Sequence, residues 1–155
     1  MAYYFINTDA KSLGGESPHD KWINYEYAFT GGTIAYGKQL GRFLPGDICL
    51  MYASRIGVVA VGKVLSTWDG ITYQNPLVYT GPHKAEEYRI CVDWFRDLRD
   101  KPIKCDRLRL VLGWNPSRAV QRIKKDEAKI DKLIKAICGN SYATEGGFIH
   151  KNESA

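Results

Sequence analysis

The stretch LGRFLPGDICLMYASRIGVVAVGKV, residues 40–64, decides the fold of this chain. It contains a Pro-Gly-Asp turn, an apolar run from Asp47, a polar break at Ser54 and Arg55, and a second apolar run rich in β-branched residues. This order is typical of a β-hairpin. Because both runs are almost continuously apolar, we expect strands that are covered on both faces, as inside a small barrel.

Outward from the hairpin, further strands are predicted for YYFIN at residues 3–7 and for EYRICVDWF at residues 87–95. RLRLVL at residues 107–112 predicts another strand or a short connector. Residues 9–20 are rich in Gly, Ser, Asp and Pro, which predicts a loop, and residues 71–84 should be irregular or lie at a sheet edge.

A single C-terminal helix is predicted from Asn115-Pro116 to about Cys138, because Asn and Pro are typical of a helix start and apolar residues follow at 3- and 4-residue spacing. Gly139 supplies the stop. We therefore expect one α+β domain over residues 1–140 and a polar tail over residues 141–155.

Composition favours an ordinary globular domain, with 45% hydrophobic and 25% charged residues among 155. The sequence shows no apolar run of membrane-spanning length and no signal-peptide pattern, which predicts a cytoplasmic protein without a membrane partner. Its net charge of +5 is unevenly distributed, because residues 96–135 hold 13 Lys or Arg against 6 Asp or Glu. Such clustering indicates either a phosphate-binding face or a solvated helix surface.

Catalytic and metal-binding motifs are missing from the sequence. The four cysteines are scattered and form no C-x-x-C pair, and Cys49 and Cys91 lie in apolar runs typical of buried, reduced thiols. The three histidines lie in Gly/Pro-rich or terminal contexts. We therefore predict a protein that is not an enzyme and uses neither a metal nor a cofactor.

Aromatic residues cluster beside the predicted strands, where rings can stack on nucleic-acid bases or simply pack in the core. The residues concerned are Trp22, Tyr25, Tyr27, Trp68, Tyr79 and Trp94. Trp94, inside a predicted strand, is expected to be structural, whereas Trp22 and Trp68 are the better pocket candidates.

Residues 40–64 resemble the central signature of PUA-like domains of the EVE, YTH and ASCH groups, with a lead-in ending in Gly-Asp and a V-x-G-x-V strand. The KWIN segment around Trp22, YRICVDWFRDLRDKPI at residues 88–103 and the NPSRAVQRI helix opening at residues 115–123 also look like EVE and YTH domains. The resemblance implies a mixed barrel of five or six strands, edged by helices, with a cleft for one extruded nucleotide.

The resemblance further implies a non-catalytic reader, a domain that binds a methylated base by flipping it into an aromatic pocket. Related domains read N6-methyladenine or modified cytosine; some select methylated foreign DNA and others read RNA, and a DNA partner is expected in preference to RNA. Some belong to McrBC-type restriction systems, so a fused or separate AAA+ motor or nuclease is an expected partner.

Carried over by position, Trp22 and Trp68 would be walls of the pocket, with Tyr52, Ala53 and Ser54 at its floor. Tyr25, Tyr36 and Tyr79 compete for the third wall. Arg55 at the hairpin tip would fill the gap in the duplex or hold a phosphate. The further residues expected to face the nucleic-acid backbone are Arg118, Arg122, Lys124 and Lys125.

Three alternatives remain open at this point. An ASCH-like enzyme acting on RNA or a modified nucleoside would need a group such as Lys21, Lys63 or Glu26 in the cleft. A YTH-like reader would bind methylated RNA instead of DNA. A protein-interaction module would have all of its aromatic residues in the core.

Overall fold

The computed structural model describes residues 1–9, 17–78 and 86–142. The described elements are, in chain order, β1 Tyr3–Asn7, α1 Pro18–Tyr25, β2 Tyr27–Gly31, α2 Ile34–Leu40, β3 Ile48–Ala53, β4 Gly57–Val64, β5 Glu87–Asp97, β6 Ile103–Lys104, α3 Cys105–Leu112, β7 Val120–Ile123 and α4 Glu127–Cys138. No helix within these three ranges is long and apolar enough to cross a membrane.

The strands form one mixed sheet in the order β2-β5-β4-β3-β1-β7, with the two-residue β6 paired to β4. β1 runs parallel to β3, and the other pairs are antiparallel. The sheet curls into a half-barrel, which confirms the predicted α+β class. The central hairpin is also confirmed, since β3 and β4 are joined by the turn at residues 54–56.

Both faces of the sheet are covered, as the apolar hairpin predicts. One face packs against α1 and α2 and contains Tyr4, Trp22 and Trp94; we call this core the α1 cluster. The opposite face packs against α3 and α4 and contains Phe5 and Phe95; we call it the α4 cluster. Neighbouring residues such as Tyr4 and Phe5 belong to different clusters because side chains alternate across a strand.

The predicted single helix from Asn115 to Cys138 is wrong. The chain forms β7 at Val120–Ile123 and begins α4 only at Glu127. Val120 belongs to the α1 cluster and Ile123 to the α4 cluster. Residues three apart on a strand lie on opposite faces, so a strand buried on both sides produces the spacing that also fits a helix.

Residues 107–112 are likewise not a strand but most of α3. Leu108 and Leu112 are buried one turn apart, whereas Leu110 is 88% exposed. Two further helices lie where no helix was predicted. These are α1, which contains Trp22, and α2, which follows the Gly31-Gly32 step. Tertiary packing of one helix face decides these short segments, and propensity alone does not.

The predicted buried thiol is confirmed at Cys49, which is fully buried and free, and burial raises the pKa of its thiol. Cys91 is half-buried and also free. The described residues contain no group of three or more His, Cys, Asp or Glu side chains able to hold a metal ion.

Candidate functional site

Four chain segments meet at one end of the sheet, which we call the hairpin end. The backbone N–H of Thr8, just after β1, donates to the Tyr52 carbonyl at 2.9 Å, and that of Asn7 donates to the Ala119 carbonyl at 2.8 Å. The Asn7 side-chain amide also donates to Ser54 Oγ at 3.4 Å. These bonds bring the end of β1 against the tip of the β3–β4 hairpin and the loop that precedes β7.

The first turn of α1 adds a group of buried polar side chains to the hairpin end. Thr8 Oγ1 lies 3.0 Å from His19 Nε2. Ser17, His19 and Trp22 are all buried, yet Ser17 Oγ, His19 Nδ1 and Trp22 Nε1 have no hydrogen-bond partner within residues 1–9, 17–78 and 86–142. A buried polar atom without a partner costs about 1–3 kcal/mol, and three such atoms within six residues favour a site that a ligand completes.

His19 is uncharged at neutral pH in this setting. Burial lowers the pKa of its imidazole; Asp20 opposes this with a smaller effect, and Arg99, the weakest of the three influences, lowers the pKa further. A neutral imidazole carries a proton on one ring nitrogen and a lone pair on the other. His19 therefore presents both a donor and an acceptor to its surroundings.

Arg99 ties the start of α1 to the end of β5. Its guanidinium forms an ion pair with Asp20 in the first turn of α1 and a fork of hydrogen bonds with Asp97, at 2.7–3.1 Å. Hydrogen bonds from Arg99 lower the pKa of Asp97, against the effect of burial. The Arg99 clasp fixes α1, and with it His19 and Trp22, relative to the sheet.

Trp22 is fully buried in the α1 cluster. Its ring centroid lies 5.9 Å from that of Phe29 on β2 and 6.2 Å from that of Trp94 on β5. Trp94 is 8% exposed and its Nε1 donates to the Tyr27 carbonyl at 2.9 Å, which confirms it as a core residue. The sequence placed Trp22 in a loop, and its contacts depend on strands that are distant in the chain.

Trp68 lies in the loop after β4 and packs edge-on against Tyr88, with ring centroids 5.8 Å apart. Its Nε1 donates to the Ile71 carbonyl at 3.0 Å. Tyr88 and Trp94, which contact Trp68 and Trp22 respectively, are six residues apart on β5, or about 20 Å along an extended strand. The structure thus sets the two indoles against different positions of one strand and not against each other.

The other predicted pocket residues are divided between several places. The Tyr52 ring faces the α4 cluster, where its hydroxyl lies 3.3 Å from Cys105 Sγ, so only its carbonyl reaches the hairpin end. Ala53 is buried in the α1 cluster, and Ser54 stands at the hairpin tip. Tyr25 and Tyr36 are 46% and 36% exposed on α1 and α2. Tyr79 lies outside the described residues.

The segment of residues 71–78 covers part of the α1 cluster beside α1, which the sequence did not suggest. Leu77 and Val78 pack against the α1 cluster, and Lys21 Nζ on α1 donates to the Leu77 carbonyl at 3.2 Å. The carboxylate of Glu87 accepts the backbone N–H groups of Leu77 and Val78 at 3.1 and 2.9 Å. The one trace in the sequence is a glutamate at the start of the predicted strand, and only the structure shows that it is buried and therefore must be hydrogen-bonded.

The predicted backbone-contacting cations separate into two groups. Arg55, at the hairpin tip in a left-handed conformation, and Arg118, next to Ala119, are exposed at the hairpin end. Lys124 and Lys125 are exposed beyond the opposite end of β7. Arg122 lies between the two groups, at the β7 position that pairs with Tyr4.

The candidates for an enzyme are spread over several elements. Lys21 binds the Leu77 carbonyl, Lys63 lies half-buried on β4, and Glu26 is the exposed, left-handed residue that ends α1. General acid or base catalysis requires such groups within reach of one substrate atom. The described contacts link none of these three residues to another.

No protein-family model matches the sequence, and no curated protein matches it significantly. Solved structures match the fold. A hypothetical protein from Leishmania major is 14% identical, with a TM-score of 0.55 over 88% of this chain and 96% of its own. Human THYN1, solved in complex with DNA containing 5-methylcytosine, is 12% identical, with a TM-score of 0.53 over 88% and 97%.

The YTH domain-containing protein mmi1, solved in complex with RNA, is 10% identical to this chain, with a TM-score of 0.53 over 89% of this chain and 86% of its own. These likenesses cover most of each chain at very low identity. The chain therefore has a PUA-like fold of the EVE and YTH type.

Proposed function

We propose that this domain is a non-catalytic reader of a modified base in nucleic acid, DNA in preference to RNA, and that the hairpin end receives the extruded base. The observation that carries the proposal is the set of buried, unpartnered polar atoms on Ser17, His19 and Trp22 within the described ranges. The shared fold supports it, because THYN1 and mmi1 were each solved with a nucleic acid.

In such a pocket, the free energy gained by stacking is similar in size to the cost of extruding the base. Extruding a base costs a few kcal/mol, and stacking on an aromatic ring returns about 1–3 kcal/mol per base. Trp22 supplies that ring, and residues Leu77 and Val78 supply an apolar surface beside the same core cluster. Because Trp22 is 0% exposed, a base reaches it only after the site opens.

Exposed cationic side chains at the hairpin end would bind the phosphate backbone of the nucleic acid. Arg55 projects from the hairpin tip, where it can occupy the space left by an extruded base or bind a flanking phosphate, and Arg118 lies beside the same end. We further propose that the domain serves as the specificity module of a modification-dependent restriction system, with an AAA+ motor or nuclease as its partner. Selection of a base by such a module requires no catalytic group of its own.

A binding screen tests the proposal. Fluorescence anisotropy at low salt would compare duplex DNA containing N6-methyladenine, 5-methylcytosine, 5-hydroxymethylcytosine or no modification with the corresponding RNAs. We expect one modified duplex to bind at least tenfold tighter than its unmodified counterpart. Equal affinities across the panel would rule out a reader, tighter binding of methylated RNA would overturn the DNA preference, and a change in oligonucleotide mass would reveal an enzyme.

Trp22→Leu and Trp68→Ala form a matched pair for locating the pocket. Trp22→Leu keeps an apolar side chain in the core but removes the stacking surface, so we expect it to lose the preference for the modified base while binding of unmodified DNA persists. Trp68→Ala should retain the preference, because Trp68 contacts Tyr88 and not Trp22. Circular dichroism of both variants would establish that they fold, and the reverse pattern of effects would place the pocket near Trp68.

A further inference from the structure

We infer that the start of α3 binds phosphates of the nucleic-acid strand opposite the extruded base, so that the domain holds both strands of a duplex at its hairpin end. The inference rests on the proposed function and names the form of nucleic acid that the domain takes. It concerns three exposed cationic side chains, which we call the α3 cations: Lys104, Arg107 and Arg109.

The α3 cations lie beside the hairpin tip, because β6 leads into α3 along the first residues of β4. Lys104 pairs with Gly57 at the start of β4. The backbone N–H of Cys105, the first residue of α3, donates to the Ile56 carbonyl in the hairpin turn at 3.1 Å. Exposed Arg55 belongs to the same turn. The first turn of α3 is therefore attached to the segment that carries Arg55.

The loop after α3 returns to the same place. The Asn115 side-chain amide donates to the Cys105 carbonyl at 3.2 Å and accepts from Arg109 Nη2 at 3.3 Å, so the loop runs back along α3 toward its first residue. The Ala119 carbonyl is then bonded to the end of β1. Exposed Arg118, which precedes Ala119, is thereby brought to the hairpin end from a third segment.

The charge of this surface is strongly positive. It combines the α3 cations with Arg55 and Arg118, and none of these five side chains pairs with a carboxylate in the part of the chain that the structure describes. Asp106 is the single acidic residue of α3. The positive end of the α3 dipole lies at the same surface. Such a concentration of cations fits a row of phosphates.

The sheet separates this surface from the proposed pocket. α1, with Trp22, covers one face of the sheet, whereas α3 packs on the other face through Leu108 and Leu112. The two helices thus approach the hairpin end from opposite sides. In a duplex, the phosphates of the second strand lie across a groove about 6–12 Å wide from those of the first. When a base enters beside α1, the α3 cations are on the side where the second strand can lie.

Removal of two α3 cations tests the inference by fluorescence anisotropy. The double variant Lys104→Gln/Arg107→Gln should bind modified duplex DNA about tenfold more weakly than wild type, and the slope of log K against log salt should fall by about 2, because two phosphate contacts are lost. Its affinity for the modified strand alone should stay within about twofold of wild type.

Lys38→Gln/Arg42→Gln is the matched control. It also removes one exposed Lys and one exposed Arg, but from α2 and the turn after it, on the other face of the sheet. We expect it to change neither affinity by more than about twofold. Equal losses for the two double variants would indicate a diffuse attraction and would overturn the inference.

Neutral methylphosphonates in the unmodified strand of the duplex provide a second test, which uses the wild-type chain. They should weaken binding by wild type about as much as the double variant does, and should weaken the double variant little further. If the double variant loses equal affinity for the duplex and for the modified strand alone, the α3 cations hold the modified strand itself and the inference fails. It fails also if the duplex is bound as tightly as before.

An unmodified duplex separates the inference from the function on which it rests. Because the α3 cations contact phosphates, the double variant should lose the same affinity for the modified and the unmodified duplex. If wild type binds these two duplexes equally well, the reader function fails while the loss still reports the contact with the second strand. If wild type prefers the modified duplex and the double variant loses nothing, the inference fails and the reader function stands.

Discussion

Glu87 and Arg89, two residues apart on β5, form an ion pair at 2.9 Å in which the glutamate side chain is fully buried and the arginine is 12% exposed. The Glu87 carboxylate also accepts two backbone N–H groups of the 71–78 segment, and the Arg89 guanidinium stacks 3.7 Å from the centroid of the Tyr73 ring. One buried carboxylate therefore fastens an irregular segment to the sheet.

Glu87→Ala should lower the free energy of unfolding by about 3 kcal/mol or more, because it leaves Arg89 and two N–H groups without their acceptor. Urea denaturation would measure the change. Glu87→Ala combined with Arg89→Met should cost less than the two single changes summed, since no cation then remains unpaired. Asp100→Ala in the exposed turn after β5 is the control and should change stability by less than about 0.5 kcal/mol.

The Tyr142 hydroxyl donates to Asp131 at 2.6 Å and lies 2.9 Å from the Tyr3 hydroxyl, which joins α4 to β1. Tyr142→Phe keeps the stacking on Phe95 but removes both bonds, so we expect a loss of about 1–2 kcal/mol in the free energy of unfolding. Tyr25→Phe, at a 46% exposed position, should be neutral in the same denaturation experiment. Equal effects of the two changes would mean that the buried network contributes nothing.

Gly57 begins β4 with φ +132°, and a Cβ there would overlap the Ile103 carbonyl oxygen of β6. Gly57→Ala should therefore cost at least about 3 kcal/mol, from steric overlap in addition to backbone strain. Gly46, with φ +94° and open space where a Cβ would lie, isolates the strain alone, and Gly46→Ala should cost about 1–2 kcal/mol. Thermal unfolding of the two variants would compare them, and equal midpoints would show that β6 yields without penalty.

The burial of neutral His19 predicts a dependence of stability on pH. Because its pKa is lower in the folded chain than in the unfolded chain, the unfolded chain binds the additional proton first as the pH falls below about 6.5. Its contribution to stability is present above that pH and decreases as the pH falls toward the folded-state pKa. Between pH 7.5 and 5.5 wild type should thus lose more stability than His19→Asn. Parallel losses would show that His19 is accessible to solvent protons in the folded state.

Salt dependence tests the two groups of cations. If Arg55 and Arg118 contact phosphates, Arg55→Gln and Arg118→Gln should each weaken DNA binding and reduce the slope of log K against log salt by about 1. The same change at Lys124 or Lys125, beyond the other end of β7, should reduce the slope less. Lys38→Gln on α2 is the control for a change of net charge, and an equal effect there would point to a diffuse electrostatic attraction.

The sequence was most informative where one residue pattern fits one structure. The two apolar runs between Asp47 and Val64, separated by one short polar break, predicted a hairpin buried on both faces, and the structure contains it. Trp94, inside a strand pattern, was correctly predicted to be a core residue. The helix predicted around Val120 and Ile123 was wrong because apolar residues three positions apart occur both on one face of a helix and on a strand that is buried on both faces. Likewise, the leucines at positions 108, 110 and 112 have the two-residue spacing that is typical of a strand. In the structure they lie on α3, where Leu108 and Leu112 are buried and Leu110 is exposed.

The candidate site was less predictable than the fold because it is assembled from distant segments. The aromatic character of Trp22 was visible, but its burial depends on Phe29 and Trp94, which the β2–β5 pairing brings to it. His19 was set aside because no motif surrounds it, and it is singled out only by its contact with Thr8 and by its buried Nδ1, which has no partner among the described residues. Leu77 and Val78 carry no local signal of their role at all.

The position of β1 between β3 and β7 has a consequence for how the polypeptide is made. Ile6 pairs with Val120, so one edge of this apolar strand stays without its neighbour until most of the domain has left the ribosome. Contacts so distant in the chain slow folding, and an uncovered edge strand can pair with other nascent chains. Chaperone dependence and aggregation during expression are therefore expected to respond to changes in β7, although β7 is only four residues long.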